Sequence, residues 1–284
     1  MRISGFFSIT RPMNSCVAGL AAIVAYLIDT GKVIPEILLL FFIVALITAA
    51  GNVINDYFDV KIDVINRPDR PIPSGAVTRA GALGFAMTLF LAGILMSFFT
   101  NTLCIGIAVI NSLMLIAYAG KLKGIPLLGN IAVAYLSASI FLFGGALNGW
   151  TGLVHIIPIA IIAFFAMVSR ELVKDAEDIE GDKAGEADTL PLRIGIKKTI
   201  FLALISTVLA AAASFIPYFY FWQNNWYLAG IVIVDIIIII AVLRGLNCET
   251  PACMKASMAS SLLKGGMFAS LVVFTLSAVF LSVH

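Results

Sequence analysis

Charge is what this sequence has least of. Only 12% of its 284 residues are charged, while 61% are hydrophobic; soluble domains run nearer 25% and 45–50%. So little charge cannot cover a water-facing surface, which makes lipid the solvent of the chain. No polar block is long enough for a second, soluble domain, and the length suits one membrane domain over residues 1–284. Cysteine and histidine are also scarce, at four and two residues. Cys248 and Cys253 lack both a second cysteine pair and a nearby histidine, which argues against a zinc site. With Cys16 and Cys104 they read as reduced packing thiols. No small-residue cleavage pattern follows Tyr26, so the opening, with Arg2 and Arg11 before an apolar run, reads as an uncleaved first helix.

Apolar runs fill the rest. Nine are about long enough to span a bilayer, near residues 12–29, 34–54, 80–99, 102–119, 128–147, 153–173, 198–221, 227–244 and 260–282. The expected fold is therefore all-α, a polytopic membrane helical bundle. Trp150, Trp222 and Trp226 stand at span ends, where interfacial aromatics belong. With the N-terminus inside, the inner loops are 55–79, 121–127, 174–197 and 245–259. On that assignment 17 of 18 Lys and Arg residues lie on the inner side or at inner helix ends, and only Lys32 lies outside. That bias predicts a cytoplasmic N-terminus and, with nine spans, an outer C-terminus ending in Ser282, Val283 and His284.

Negative charge is concentrated too. Twelve of 16 acids lie in two segments: Asp56, Asp59, Asp63 and Asp69, then eight from Glu171 to Asp188. Both follow the inner end of an apolar span, the second and the sixth. The similar placement hints at a pseudo-repeat of four helices with a ninth left over, although no residue-by-residue repeat carries it. Asn55, Asp59 and Asp63 are four apart and form one column if the second helix continues that far. Asp175, Asp178 and Asp182 share a face in the same way, whereas Glu177 and Glu180 point elsewhere, toward water. Stacked like charges repel and are expensive near a membrane, unless a divalent cation lies against them. All-oxygen donors favour Mg2+ or Ca2+ over zinc. A lone acidic helix end is equally well explained as a solvated end. Two on one side, interleaved with basic residues, suit a diphosphate, whose oxygens metal ions bridge and whose charge cations take up. The basic candidates are Lys61, Arg67, Arg70, Lys121, Lys123, Lys174 and Lys183. Positive-inside bias explains most of them; Arg67 and Arg70 stand out because prolines hold them in a stiff turn just past the column.

Asn55-Asp56-x-x-Asp59-x-x-x-Asp63, followed by Asn66-Arg67-Pro-x-Arg70-Pro, resembles the first signature of UbiA-type intramembrane prenyltransferases. Asp175-x-x-Asp178-x-x-Gly-Asp182 resembles the second, and Tyr118-Ala-Gly-Lys121 the family's Tyr-x-x-Lys element. The resemblance covers the whole chain. It implies a bundle around a central cavity with lateral access for a prenyl tail. It implies Asn55, Asp59, Asp63, Asp175, Asp178 and Asp182 as ligands of Mg2+-diphosphate, with Asn52 and Asp56 as auxiliaries. Asp59, Asp63, Asp182, Lys121 and Tyr118 are the expected catalytic residues, and Arg67, Arg70, Lys61 and Lys121 the expected diphosphate contacts. From the opening Ile9–Cys16, the short loops and the Lys174–Asp182 run, the chain is most similar to archaeal members that transfer geranylgeranyl onto geranylgeranylglyceryl phosphate. For that lipid-like, anionic acceptor Arg11, Asn14 and Lys123 are the candidates. No nucleic acid partner is expected.

The chemistry implied is departure of diphosphate, cation character at the allylic C1, and attack by an acceptor hydroxyl where apolar helices exclude water. The proton acceptor stays open between a side chain and the departing diphosphate. An aromatic acceptor is the alternative within the class. An ion-coupled transporter is the alternative outside it, disfavoured because these acids lie at helix ends and transporter sites lie near the midplane. The Asp-Gly-x-x-Ala-Arg signature of CDP-alcohol transferases is missing. Asp235, deep in the eighth span, reads as a neutral acid bonded to a neighbouring helix. The expected topology is checked by thiol labelling in intact cells. Lys32→Cys should react with a membrane-impermeant maleimide, and Lys123→Cys only after permeabilisation; the reverse pattern overturns the orientation.

Overall fold

The computed structural model describes residues 3–184 and 188–280, without the side chains of Asn66 and Ala184. Arg2, the Asn66 side chain, Glu186 and the tail from Ser282 to His284 therefore lie outside the described residues. The helices are α1 (Ile3–Ile9), α2 (Pro12–Thr30), α3 (Ile37–Asn66), α4 (Arg79–Ser97), α5 (Thr102–Gly120), α6 (Leu128–Ala146) and α7 (Gly149–His155). They continue with α8 (Ile157–Ala184), α9 (Leu190–Ile194), α10 (Ile196–Ala213), α11 (Asn225–Leu246), α12 (Pro251–Ser257) and α13 (Ala259–Phe280). No strand occurs among the described residues. Among the described residues eight helices are long and apolar enough to cross a membrane, and up to nine spans result if α7 and α8, bent by 47°, count as one. The bend falls at Ile156, two residues before Pro158, whose ring removes an N–H and disfavours helix at the residue before it.

Helix length is what places the acidic motifs. At 1.5 Å per residue, the 30 residues of α3 extend about 45 Å, and a hydrocarbon core is about 30 Å thick. A helix of that length outruns the apolar layer unless it tilts, and its charged last turns, Asp56 to Asp63, are the part suited to lie outside it. The same holds for the 28 residues of α8. Both motifs thus lie on continuous helix, where the sequence had suggested loops beginning at 55 and 174. Caps define other ends: Thr78 accepts from the Gly81 amide, Asn101 from Cys104 and Asn224 from Trp226.

The chain forms two compact units, Met1–Leu122 with Ser139–His155, and Lys123–Ala138 with Ile156–His284. Each has its own core. In the first, Ala22, Leu40, Ile43, Ala50, Val53, Phe90 and Phe143 pack together. In the second, Val173, Ala176, Ile200, Ala203, Ala241, Met254 and Leu263 do so. Small residues face inward, while Leu91, Phe99, Ile233 and Phe280 are exposed. Large apolar side chains thus lie both in the cores and on the outside, as a lipid solvent permits, and small residues let helices approach closely where they meet. A Cβ on Gly144 would lie 2.3 Å from the Ala22 carbonyl oxygen, so α6 and α2 meet there backbone to backbone.

Two sequence expectations change, and a third holds. Cys248 and Cys253 form a disulfide, with Cα atoms 5.4 Å apart, that ties the end of α11 to α12; only Cys16 and Cys104 are free. Two cysteines five apart read as independent thiols until the turn after α11 brings them face to face. Trp150 and Trp226 are exposed, but Trp222 is buried against Tyr227 and Phe274. The cause is the π-helical turn at Tyr218–Trp222 following Pro217, which rotates the ring inward. Asp235 does bond to a neighbouring helix end: Ser214 Oγ donates to its Oδ2 at 2.6 Å, and Tyr227 donates to the Ser214 carbonyl. For packing, Gly144→Ala forces α6 off α2. Overpacking costs about 1–3 kcal/mol, so the melting point in detergent should fall by about 2–10 °C. Gly106→Ala meets nothing within 4 Å and should leave it unchanged. Equal melting points for the two variants would remove the close-contact account.

Candidate functional site

In the first unit the motif is an alternating cluster of charges on the last three turns of α3. Asp56, Asp59 and Asp63 are all buried. Asp56 and Asp63, seven residues apart, fall on one stripe, with Asp59 beside them. Arg70 joins the stripe, donating to Asp63 at 2.6 Å and to Asp56 at 3.3 Å. It reaches back because the segment after α3 folds tightly: Arg67 N bonds the Asp63 carbonyl, Arg70 N the Arg67 carbonyl and Ser74 N the Arg70 carbonyl. Arg11 approaches from the other direction and donates to the same Asp56 oxygen at 2.6 Å. It does so from a left-handed backbone conformation (φ 48°) that turns the chain between α1 and α2. Asn52 donates to the Thr10 carbonyl and fastens that turn to α3. Asn55 donates to Asp59 at 2.8 Å, along the predicted column.

The remaining first-unit candidates are more open. Lys61 and Arg67 are exposed, as is Asn14, one turn into α2. Lys121 is exposed at the end of α5, and Tyr118, half-buried, lies one turn before it. That end packs beside α3, since a Cβ on Gly120 would touch the Phe58 ring at 3.4 Å.

In the second unit α8 carries Asp175, Asp178 and Asp182 on one face. Asp175, half-buried, accepts from Asn130 Nδ2 at 2.7 Å. Asp178 is exposed. Among the described residues the buried Asp182 Oδ2 has no hydrogen-bond partner, and the charges of Lys174 and Lys123 act on this carboxylate. Asp188, counted with the same acidic run, pairs instead with Arg193, whose guanidinium holds its carboxyl below the usual range. Glu180 is exposed and lies 3.6 Å from Lys255. Glu177 does not face water: it accepts from the amide and the hydroxyl of Ser260.

No group of three or more His, Cys, Asp or Glu among the described residues is gathered tightly enough to cage a metal alone. An oxygen-only donor set with an orphaned carboxylate oxygen still fits Mg2+, which is typically held by one or two carboxylates with substrate phosphates completing its shell. Residues 17–279 match the model of the UbiA prenyltransferase family. The chain belongs to this family. It is 61% identical to digeranylgeranylglyceryl phosphate synthase of Methanoregula boonei, over 99% of this chain and all of that one. A solved structure of digeranylgeranylglyceryl phosphate synthase in membranes superposes with a TM-score of 0.83 at 36% identity, covering 98% of each chain. A UbiA homolog from Archaeoglobus fulgidus bound to GPP and Mg2+ shares the fold, with a TM-score of 0.60 at 16% identity over 94% of this chain and 99% of that one.

As a UbiA prenyltransferase, the chain had its signature carboxylates legible in sequence, but not their partners. Arg11 was read as an acceptor contact separate from Arg70; the two share one Asp56 oxygen. Asp56, read as an auxiliary, is the hub. Asn130, which bonds Asp175, carries little signal in the sequence beyond an amide two residues into an apolar span. The shared carboxylate makes a test. Arg70→Ala leaves Asp56 and Asp63 facing each other, so it should lower thermal stability by less than the ~3–5 kcal/mol of a fully buried broken pair. Adding Asp63→Asn should recover part of that loss. Arg67→Ala should leave stability unchanged. If Arg70→Ala melts like wild type, the clamp has no energetic content.

Proposed function

We propose that this enzyme transfers a geranylgeranyl group from geranylgeranyl diphosphate to the free hydroxyl of geranylgeranylglyceryl phosphate, forming the second ether bond of an archaeal lipid. The observation that carries the reading is the cluster of buried carboxylates at the projecting end of α3, interleaved with Arg11 and Arg70. An acidic column at the edge of lipid, with guanidinium groups in reach, suits a metal-bound diphosphate whose tail lies in the apolar layer. The identity to the Methanoregula boonei relative along the full length supports this acceptor class. The clustering of Lys and Arg on one side supports a cytoplasmic position for the site.

Asn55, Asp59 and Asp63 would hold Mg2+ on the first column, and Asp175, Asp178 and Asp182 on the second. When bound, Mg2+ would supply the positive charge that a departing diphosphate requires. Arg67, Arg70, Lys61 and Lys121 take up the remaining charge, with Tyr118 orienting from the turn before Lys121. The apolar helices keep water from C1, where it would capture the developing cation. Lys123, Asn14 and Arg11 bind the acceptor phosphate.

Purified protein supplied with radiolabelled geranylgeranyl diphosphate should prenylate geranylgeranylglyceryl phosphate and leave 4-hydroxybenzoate untouched. Activity should vanish with EDTA and return with Mg2+. Asp59→Ala and Asp63→Ala should each remove activity by orders of magnitude with folding intact, because the spans supply the packing. Losing a charge-assisted contact weakens binding roughly 10- to 150-fold, so Lys123→Gln should raise acceptor KM by that factor and spare donor KM. Arg11→Gln, which also disturbs Asp56, should raise both. Prenylation of the aromatic acid without ether formation would overturn the lipid assignment.

A further inference from the structure

We propose that Glu177 is a positioning residue that sets the rotation of the second acidic column from behind. Residues 175, 178 and 182 share one stripe of α8, whereas residue 177 projects roughly 100–160° away from its members at 100° per residue. Its carboxylate is fully engaged there. Ser260 N donates to Oε1 at 3.1 Å and Ser260 Oγ donates to Oε2. Ser260 is the second residue of α13, where backbone amides have no partner within their own helix, and the N-terminal dipole favours an anion. The same end of α13 is fixed by packing. Ala259, Leu263 and Met254 share a core with Val173, Ala176 and Ile179, which flank Glu177 on α8. The exposed Glu180–Lys255 pair, 3.6 Å apart, adds little beside it. Ridges of apolar side chains hold two helices together but tolerate slippage; a two-point carboxylate tie defines one azimuth. Ligand groups must be held within about 0.5 Å and 10–20° to work together, and a helix extending past the membrane lacks neighbours on every side to do so.

The proposal rests on the reading that Asp175, Asp178 and Asp182 hold Mg2+, and the test separates the two. Full-length protein in detergent is titrated with Mn2+, followed by electron paramagnetic resonance, alongside Mg2+ dependence of turnover and thermal melting. Asp182→Ala should lose Mn2+ affinity. Glu177→Ala should weaken Mn2+ binding and raise the Mg2+ needed for half-maximal turnover by about 5- to 30-fold, the scale of losing a helix-cap tie. Glu177→Gln, whose amide oxygen still accepts from Ser260, should recover to within about threefold of wild type. Ser260→Ala keeps the backbone bond, so it should fall between them and serves if Glu177→Ala does not fold. Unchanged Mn2+ affinity in Glu177→Ala and Ser260→Ala, with only the melting point lowered, would make Glu177 a cap and nothing more. Wild-type Mn2+ affinity in Asp182→Ala would overturn the metal reading and this proposal together.

Discussion

Carboxylates at the edge of a bilayer must be neutralised, and much of the first unit is arranged around that demand. Three acids, Asp56, Asp59 and Asp63, lie buried within eight residues on α3, and buried carboxylates so close together need partners. Arg70 and Arg11 answer from opposite directions, one from the turn after α3 and one from the turn before α2. The left-handed backbone at Arg11, the tight folding from Arg67 to Ser74 and the Asn52 bond to Thr10 all position those two guanidinium groups. Remove the acids and these features have no common cause.

The second unit meets the same demand with different means. Asp175 is steadied by an amide, not a cation, and Asp182 keeps an orphaned oxygen. Lys174 and Lys123 act on Asp182 through their charge, and the rear of α8 is held by Glu177, which accepts from Ser260 at the start of α13. Two guanidinium groups thus lie against Asp56 and Asp63 in the first unit, whereas in the second unit a carboxylate tie braces the helix from behind.

Helix length connects both columns to function. Because α3 and α8 are longer than a hydrocarbon layer is thick, both can carry their acids past its edge on continuous helix. A prenyl diphosphate is likewise apolar for most of its length and anionic at one end. Small residues such as Ala22 and Gly144 let spans approach closely, while many large apolar side chains are turned outward.

Composition alone determined the solvent, since 12% charge leaves no water-facing surface to build. Periodicity determined the spans and put Asn55 with Asp59 and Asp175 with Asp182, because contacts three to seven residues apart are set by helix geometry. The UbiA signatures, being contiguous, were legible for the same reason. Tertiary structure decided everything that joins distant positions. Arg11 to Asp56 spans 45 residues, Asn130 to Asp175 another 45, and Ser260 to Glu177 83. It also decided the Cys248–Cys253 bond and the inward turn of Trp222, which depend on how a short break folds. One sequence carries local geometry residue by residue, but a pairing between helices depends on their rotation and depth, and those are set by packing summed over whole faces.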